Sequence, residues 1–271
     1  LLILWVRRAR IVVIFQGDDA RQGDVMLDRY EESIARHADP GYYSRMSDRR
    51  KRRLIRRLRV FGAQLLALNP DLVPLLGADA KFVPYCHIDL DEWRPCPLPP
   101  RDGSLIIGHF PTNRTIKGTA VIERAVSLLR EDDYSVELRL LSGVVRSDVR
   151  SALSECHILI DQLYAGFYGG IAVEGMSLGR PALAYIRSED LAHVPLKFAS
   201  SLPLLSVMAS DLREQLIKVL SMNHGQLQEW GGRCRSFVEE WHEPDSVSHF
   251  VLEQATRLRL TKKEEVASPR T

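Results

Sequence analysis

The segment Leu105–Leu129, LIIGHFPTNRTIKGTAVIERAVSLL, carries the pattern that decides the fold class. Its apolar beginning predicts a buried β-strand over Leu105–His109, and apolar residues at helical spacing predict a helix over Thr119–Leu129. A loop of polar and basic residues joins the two. A strand, a loop and a helix in this order predict one unit of a parallel sheet with crossover helices.

The same alternation continues downstream and predicts a Rossmann-like domain. The predicted strands are Val136–Leu141, Ile158–Ile160, Ala182–Ile186 and Leu202–Val207. The predicted helices are Ser147–Ser154, Gly170–Leu178, Asp211–Met222, Gln226–Trp241 and Asp245–Leu258. We assign residues 101–258 to this domain and residues 259–271 to a frayed polar tail.

Upstream, the same kind of pattern is shorter. Strands are predicted over Ile11–Phe15, Ala63–Leu68 and Lys81–Pro84, a basic amphipathic helix over Asp48–Phe61, and a helical turn from Pro70 to Leu76. Prolines at 95, 97, 99 and 100 indicate a linker. Residues 1–100 are therefore assigned to an N-terminal α/β domain and the linker.

Composition limits the class of protein. Of the 271 residues, 45% are hydrophobic and 27% charged, which is enough to fold around a core and excludes disorder as the main state. The net charge of +2 gives no sign of a nucleic-acid binder. The apolar run Leu1–Val6 is far shorter than the roughly 20 residues that cross a bilayer. Because the chain starts with this run and without Met, we expect an N-terminal truncation.

The cysteines and most histidines are dispersed. The four cysteines form no C-x-x-C pair, and no histidine stands at metal-ligand spacing, so neither a disulfide framework nor a metal site is predicted. His87 is not selected for any site. This cysteine usage favours a reducing compartment, and we expect a cytoplasmic protein.

The loop after Leu105–His109 is the richest candidate site. Arg114 and Lys117 stand three residues apart, just before a predicted helix, where α/β sheets bind ligands at the carboxyl ends of their strands. Two cations beside a helix N-terminus suit a diphosphate. The alternative is a solvated loop in which Arg114 is salt-bridged, and the residues alone leave it open.

A glycine turn forms the second candidate site. The segment from Asp161 leads from a predicted strand end through Gly169 and Gly170 into a helix. Backbone amides at these glycines approach an anion closely because no side chain blocks them. Glu174, one turn into the helix, is either a partner of the helix dipole or an acceptor for a vicinal diol such as a nucleotide ribose.

Three runs, HFPTNRTIKGT at 109–119, DQLYAGFYGG at 161–170 and VEGMSLGRP at 173–181, resemble the donor-binding domain of retaining GT-B glycosyltransferases. Members of this family have two Rossmann-like domains and use nucleotide sugars. The resemblance implies that Arg114 and Lys117 hold the donor diphosphate as it departs, and these are the predicted catalytic residues. It also implies that Glu174 binds the ribose hydroxyls.

The resemblance defines the rest of the predicted function. The other predicted donor-binding residues are His109, Asn113, Gly118, Tyr168, Gly169 and Gly170. The expected activity is transfer of a sugar from a nucleotide-diphosphate sugar to a carbohydrate or lipid-linked acceptor, as in polysaccharide or cell-envelope biosynthesis. The donor is a co-substrate, and two side-chain cations stabilise the leaving group, so neither a cofactor nor a metal ion is expected.

Two departures from the family pattern leave alternatives open. Family members commonly carry a second glutamate eight residues before the ribose glutamate, where this chain has Gly166. FQGDDAR at 15–21 resembles the acceptor-domain turn more weakly, which implies acceptor-side roles for Gly17 and Asp18. The predicted fold is therefore α/β with two Rossmann-like domains, the first incomplete. The alternatives are a non-catalytic nucleotide-binding or scaffolding fragment and a GT-B-shaped sugar epimerase.

The basic helix carries its own prediction. Nine Lys and Arg lie between Arg45 and Arg59 against the single acid Asp48. Such a helix either contacts an anionic membrane surface peripherally, at roughly 1 kcal/mol per basic residue, or presents a plain solvated face. No aromatic residue accompanies this charge, so nucleic acid is not expected as a partner.

Overall fold

The computed structural model describes residues 9–101, 103–143 and 146–267, with side chains except at 146–147 and 257–267. It contains two parallel β-sheets, one of three strands and one of five. The predicted α/β class, with two Rossmann-like lobes of which the first is incomplete, is therefore confirmed. The predictions for Leu1–Val6 lie outside the described residues.

The smaller sheet has its strands in chain order. They are β1 (Val12–Phe15), β2 (Gln64–Ala67) and β3 (Lys81–Phe82). The chain between β1 and β2 contains α1 (Gly23–Arg29), α2 (Ile34–His37) and α3 (Arg45–Val60), and between β2 and β3 it contains a 3₁₀ turn (Pro70–Leu72) and α4 (Val73–Leu76). Strand β3 stops two residues before Pro84, which has no N–H to continue the ladder.

Helix α3 is the predicted basic helix, and it begins three residues earlier than expected. Ser44 caps it, because the Ser44 Oγ accepts a hydrogen bond from the Ser47 N–H at 3.2 Å. The single acid, Asp48, points inward and accepts a hydrogen bond from the Gly23 N–H at the start of α1. The outer face of α3 therefore keeps its positive charge without this carboxylate.

The larger sheet has the spatial order β5-β4-β6-β7-β8. Its strands are β4 (Leu105–His109), β5 (Val136–Leu140), β6 (Ile158–Ile160), β7 (Ala182–Ala184) and β8 (Leu205–Ser206). The chain leaves β4 toward β5 on one side and then crosses to β6 on the other. A sheet that reverses its winding in this way binds ligands in the crevice at the reversal, here between the carboxyl ends of β4 and β6.

Eight helices of the described ranges follow β4. They are α5 (Arg114–Lys117), α6 (Thr119–Glu131), α7 (Arg146–Ser154), α8 (Gly170–Ser177), α9 (Leu196–Ser201), α10 (Leu212–Leu220), α11 (His224–Trp241) and α12 (Pro244–Ala267). Sequence patterning missed α1, α2, α5 and α9, because four to seven residues are too few to show helical periodicity.

Three of the boundaries that the structure corrects have a clear physical reason. The strand predicted over Leu202–Val207 is only Leu205–Ser206, because its first part follows α9 and contains Pro203. The strand predicted to Ile186 ends at Ala184, and the Tyr185 N–H donates instead to the Gln162 carbonyl. The predicted tail is helical as far as Ala267, since this segment contains Arg, Leu, Lys and Glu, which favour helix.

Helix α12 crosses back to the smaller sheet. Its Val247 is buried against Leu66 and Val83, and the Lys81 Nζ donates to the Gln254 Oε1 at 2.7 Å. Residues that chain order assigns to the second domain thus pack on the first. Neither α12 nor any other helix in the described ranges is long and apolar enough to cross a membrane.

Candidate functional site

The loop after β4 forms a short helix that fixes the direction of Lys117. Asn113 caps α5, because its Oδ1 accepts a hydrogen bond from the Ile116 N–H at 3.1 Å. Gly118 ends α5 at a φ of 79°, and a Cβ there would lie 3.0 Å from Leu163. Two of the predicted donor-binding residues therefore fix the conformation of the loop: Asn113 caps α5 with its side chain, and Gly118 ends α5 with its positive φ.

Lys117 forms an ion pair with a buried carboxylate. Its Nζ lies 2.7 Å from the Oδ1 of Asp161, whose side chain is fully buried, while Lys117 keeps 15% of its side chain exposed. The other oxygen of Asp161 accepts a hydrogen bond from the Gly169 N–H. Asp161 thereby ties the loop after β4 to the glycine turn after β6. The sequence patterns did not identify Asp161 as a site residue, although a carboxylate at a strand end beside a glycine turn is a signal for one.

Gly169 and Gly170 lead into α8, and the side chain of a different residue lies close to each of them. A Cβ at Gly169 would lie 3.2 Å from the Lys117 Nζ, and a Cβ at Gly170 would lie 3.1 Å from the imidazole of His87. The first turn of a helix has N–H groups without partners inside the helix, and the dipole of α8 adds about half a positive charge there. An anion therefore meets backbone donors and Lys117 at one place.

Glu174 and His87 lie next to each other one turn further on. The His87 Nε2 is 3.3 Å from the Glu174 Oε1, and 12% of the Glu174 side chain is exposed. His87 belongs to the connector between β3 and β4, so it reaches the site from the other lobe's side. Nothing in the spacing of the sequence indicated this contact, which depends on the packing of the two lobes.

Arg114 points to a different neighbour. Its guanidinium pairs with the Glu123 Oε1 at 2.7 Å, and both side chains are about half exposed. The two residues line an open cavity of about 290 Å³, one wall of which is the His37 ring stacked on Tyr164 at 3.6 Å between centroids. This geometry is the salt-bridged arrangement that the sequence left open, so a role for Arg114 in donor binding stays a prediction.

His109 and Tyr168 are buried and use their polar atoms inside the protein. The His109 Nδ1 donates to the Ile160 carbonyl and its Nε2 accepts from the Thr119 hydroxyl, both at 2.9 Å, while burial lowers the pKa of His109. The Tyr168 hydroxyl donates to the His242 Nε2 at 2.9 Å. Both residues are part of the packed interior next to the candidate site, and their polar side-chain atoms already have partners inside the protein.

On the acceptor side, Asp18 lies at the end of β1 in a closed network. Its carboxylate accepts hydrogen bonds from the Tyr42 hydroxyl at 2.6 Å, the Tyr43 hydroxyl at 2.5 Å and the Arg21 Nη1 at 3.2 Å. Burial raises the pKa of Asp18, but the charge of Arg21 and the two hydroxyls outweigh burial and leave this pKa below its ordinary value. Asp18 is therefore a fixed anion and a poor proton acceptor.

At Gly166, where the family pattern has a glutamate, the space that a side chain would need is filled by another residue. Gly166 has a φ of 79°, and the guanidinium of Arg187 lies where a side chain at 166 would begin. Arg187 pairs with Asp190 at 2.6 Å and lies 3.7 Å above the Tyr30 ring. Arg187 thus fills the space beside Gly166 and also contacts the smaller lobe through Tyr30.

The outer face of α3 carries a cluster of arginines without acidic partners. Arg49, Arg50, Arg53, Arg56 and Arg57 are exposed, and none pairs with a carboxylate in the part of the chain that the structure describes. Three exposed apolar residues interrupt them, namely Met46, Leu54 and Val60. We call these eight residues the α3 face. In the same described part, no three His, Cys, Asp or Glu side chains are grouped to hold a metal ion.

No family model matches this sequence, and the search of curated proteins finds no match. Among solved structures, the chain is similar to S. aureus TarM in a complex with fondaparinux, alpha-GlcNAc-glycerol and UDP, at 12% identity and a TM-score of 0.59 over 92% of this chain. It spans only 50% of the length of TarM.

Two further solved structures agree. WaaG, a glycosyltransferase involved in lipopolysaccharide biosynthesis, matches at 12% identity and a TM-score of 0.57, with 92% of this chain and 80% of WaaG covered. Sucrose-phosphate synthase from Thermosynechococcus elongatus matches at 14% identity and a TM-score of 0.60, with 98% and 72% covered. Identity this low establishes the fold alone, and the fold of this chain is a partial GT-B fold.

Proposed function

We propose that this chain transfers a sugar from a nucleotide-diphosphate sugar to a carbohydrate or lipid-linked acceptor, with retention of the anomeric configuration. One observation carries the proposal: the Lys117 Nζ lies over Gly169, where the glycine turn opens α8 beside the switch point of the larger sheet. The description of WaaG as a glycosyltransferase, and the UDP and alpha-GlcNAc-glycerol in the TarM complex, support the same reaction class.

The proposed chemistry is stabilisation of a departing nucleoside diphosphate. As the glycosidic bond breaks, negative charge grows on the diphosphate, and the Lys117 ammonium together with the dipole of α8 stabilises that charge. Asp161 holds Lys117 in place from the buried side. Glu174, one turn into α8, accepts hydrogen bonds from the ribose hydroxyls. These groups supply the positive charge for the step, so the proposal needs no metal ion.

Arg114 is the second cation of the proposal. Its pair with Glu123 is exposed, and exposed pairs contribute only about 0–1 kcal/mol, so the guanidinium is released cheaply to a diphosphate. The acceptor enters between the lobes near Gly17 and Asp18, where Asp18 fixes Tyr42 and Tyr43 as hydrogen-bonding groups.

The test is calorimetric titration of the chain with UDP, GDP and ADP in the absence of divalent metal. We expect one nucleotide to bind and Lys117→Ala to weaken it at least about 10-fold, as loss of a charge-assisted contact does. Lys218→Ala is the matched control, because Lys218 is an exposed lysine paired with Glu214 on α10. Absence of binding to all three nucleotides would reject the proposal in favour of a non-catalytic scaffolding fragment.

We further propose that the α3 face contacts an anionic membrane surface on the cytoplasmic side, which would bring the enzyme to a lipid-linked acceptor. Its unpaired arginines and exposed apolar residues support this contact. Changing Arg49, Arg53, Arg56 and Arg57 to Gln should weaken the free energy of binding to phosphatidylglycerol vesicles by about 4 kcal/mol. Co-sedimentation with the vesicles measures this change.

The control for this experiment removes the same charge elsewhere. Arg94, Arg124, Arg213 and Arg233 are exposed and salt-bridged, and their change to Gln should leave vesicle binding intact. Equal loss in both sets would mean that net charge alone acts. No binding by the unchanged protein would reject the membrane contact.

A further inference from the structure

His87 is held in place by anchors on both lobes. Two residues before it, the Tyr85 hydroxyl donates to the Asn69 Oδ1 at 3.3 Å in the smaller lobe. The Tyr85 carbonyl accepts from the His242 Nδ1 at 2.7 Å on the other side. The rings of Tyr85 and His87 then meet edge to face at 5.9 Å. The connector thus delivers the imidazole to a defined position above α8.

The position of His87 is comparable to that of Lys117, because each side chain lies close to one glycine and is paired with one carboxylate. Lys117 lies over Gly169 with Asp161 beside it, and His87 lies over Gly170 with Glu174 beside it. The two side chains lie over successive residues at the start of the same helix. An anion bound at that turn is therefore close to both Lys117 and His87.

The neighbouring Glu174 determines which nitrogen of the His87 imidazole carries the hydrogen. An ionised carboxylate only accepts hydrogen bonds, so the ring nitrogen that faces Glu174 carries the proton. This N–H is the group that a phosphate oxygen requires. One third of the His87 side chain is exposed, which leaves its edge accessible to a ligand.

We infer that His87 is a donor-binding residue whose Nε2–H binds the diphosphate when Glu174 exchanges the imidazole for the ribose hydroxyls. This inference rests on the proposed function and adds one residue of the connector to the groups that bind the diphosphate. Because the connector is anchored on both lobes, a diphosphate bound to His87 also contacts the segment that joins them. Donor binding would then stabilise the arrangement of the lobes as well as fill the site.

The experiment compares His87→Ala and His87→Gln in titrations with UDP, GDP and ADP and with the corresponding nucleosides. We expect His87→Ala to weaken the bound diphosphate about 10-fold or more, as loss of a hydrogen bond to a charged group does. Binding of the nucleoside should not weaken, since it has no phosphate for His87 to bind and its ribose no longer competes with His87 for Glu174. His87→Gln retains an N–H donor and should recover most of the affinity.

The control is His249→Ala, because His249 is an exposed histidine on α12 whose Nδ1 contacts the Asp245 carbonyl. Circular dichroism and the melting temperature verify that each variant is folded. Unchanged or tighter diphosphate binding in His87→Ala would overturn the inference, because His87 would then only cover the site. If Lys117→Ala weakens binding and His87→Ala does not, the inference alone fails. If the unchanged chain binds no nucleotide, both the inference and the proposed function fail.

Discussion

Lys117 and Asp161 form a 2.7 Å ion pair in which the carboxylate is fully buried and also accepts a hydrogen bond from the Gly169 N–H. One carboxylate therefore joins the loop after β4, the strand end of β6 and the glycine turn before α8. A bound diphosphate would share the ammonium with Asp161 without dismantling this connection, because Lys117 has three N–H donors.

Asp161→Asn should destabilise the fold by about 1–3 kcal/mol, because the amide leaves Lys117 without its buried counter-charge and places a second donor near it. Urea unfolding measures this change. Glu214→Gln removes the carboxylate of an exposed pair with Lys218 and should alter stability by less than about 0.5 kcal/mol. Equal effects of the two substitutions would contradict a structural role for Asp161.

Gly170→Ala should weaken nucleotide binding about 10-fold or more, because the new methyl group lies 3.1 Å from the His87 ring and overpacks the space above α8. The control is Gly232→Ala in α11, where a Cβ meets nothing within 4 Å. That substitution should raise stability by about 0.5–1 kcal/mol through helix propensity and leave affinity unchanged. Titration and thermal melting of both variants provide the measurement.

Gly166→Ala should cost about 2–4 kcal/mol of stability, since it adds left-handed backbone strain to a collision with the Arg187 guanidinium. Gly41 separates the two effects, because it has a φ of 89° and nothing within 4 Å of a Cβ. Gly41→Ala should therefore cost only about 1–2 kcal/mol in chemical denaturation. If Gly166→Ala costs no more than Gly41→Ala, then Arg187 does not occupy this space in solution.

Stability should fall as the pH drops from about 6.5 to about 4, because burial lowers the pKa of His242 to about 4. In that window the unfolded chain binds a proton at this imidazole and the folded chain does not, so protonation favours unfolding. The contribution is about 3 kcal/mol, and it stops growing below pH 4. His242→Gln should flatten this part of the pH profile in urea titrations. An unchanged slope would show that other groups cause it.

Local patterns were sufficient for most of the larger lobe. Strand β4 was predicted at its observed residues, and α8 opens at Gly170 as expected, because periodicity and turn residues act within about ten positions of the chain. Short helices such as α2 and α5 were missed, since a single turn is stabilised by what it packs against and shows no period of its own.

The side-chain partners in the candidate site were harder to predict. Arg114 and Lys117 look alike in the sequence, yet Lys117 faces the glycine turn and Arg114 faces Glu123. Tyr168, which the resemblance implies as a donor-binding residue, is buried, and its hydroxyl donates to His242. Which neighbour a side chain meets depends on packing across elements, and no local motif encodes that choice.

By itself, the sequence determined the parallel α/β arrangement, the glycine turn that opens a helix, and a cation on the loop beside it. These features follow from hydrophobic spacing and backbone freedom, which neighbouring residues set. Only the tertiary structure decided that His87 lies over Gly170, that Arg187 fills the space at Gly166, and that α12 returns to the smaller sheet. Each of these contacts joins separate elements of the chain: packing inside the larger lobe brings Arg187 to Gly166, and packing between the two lobes positions His87 and α12.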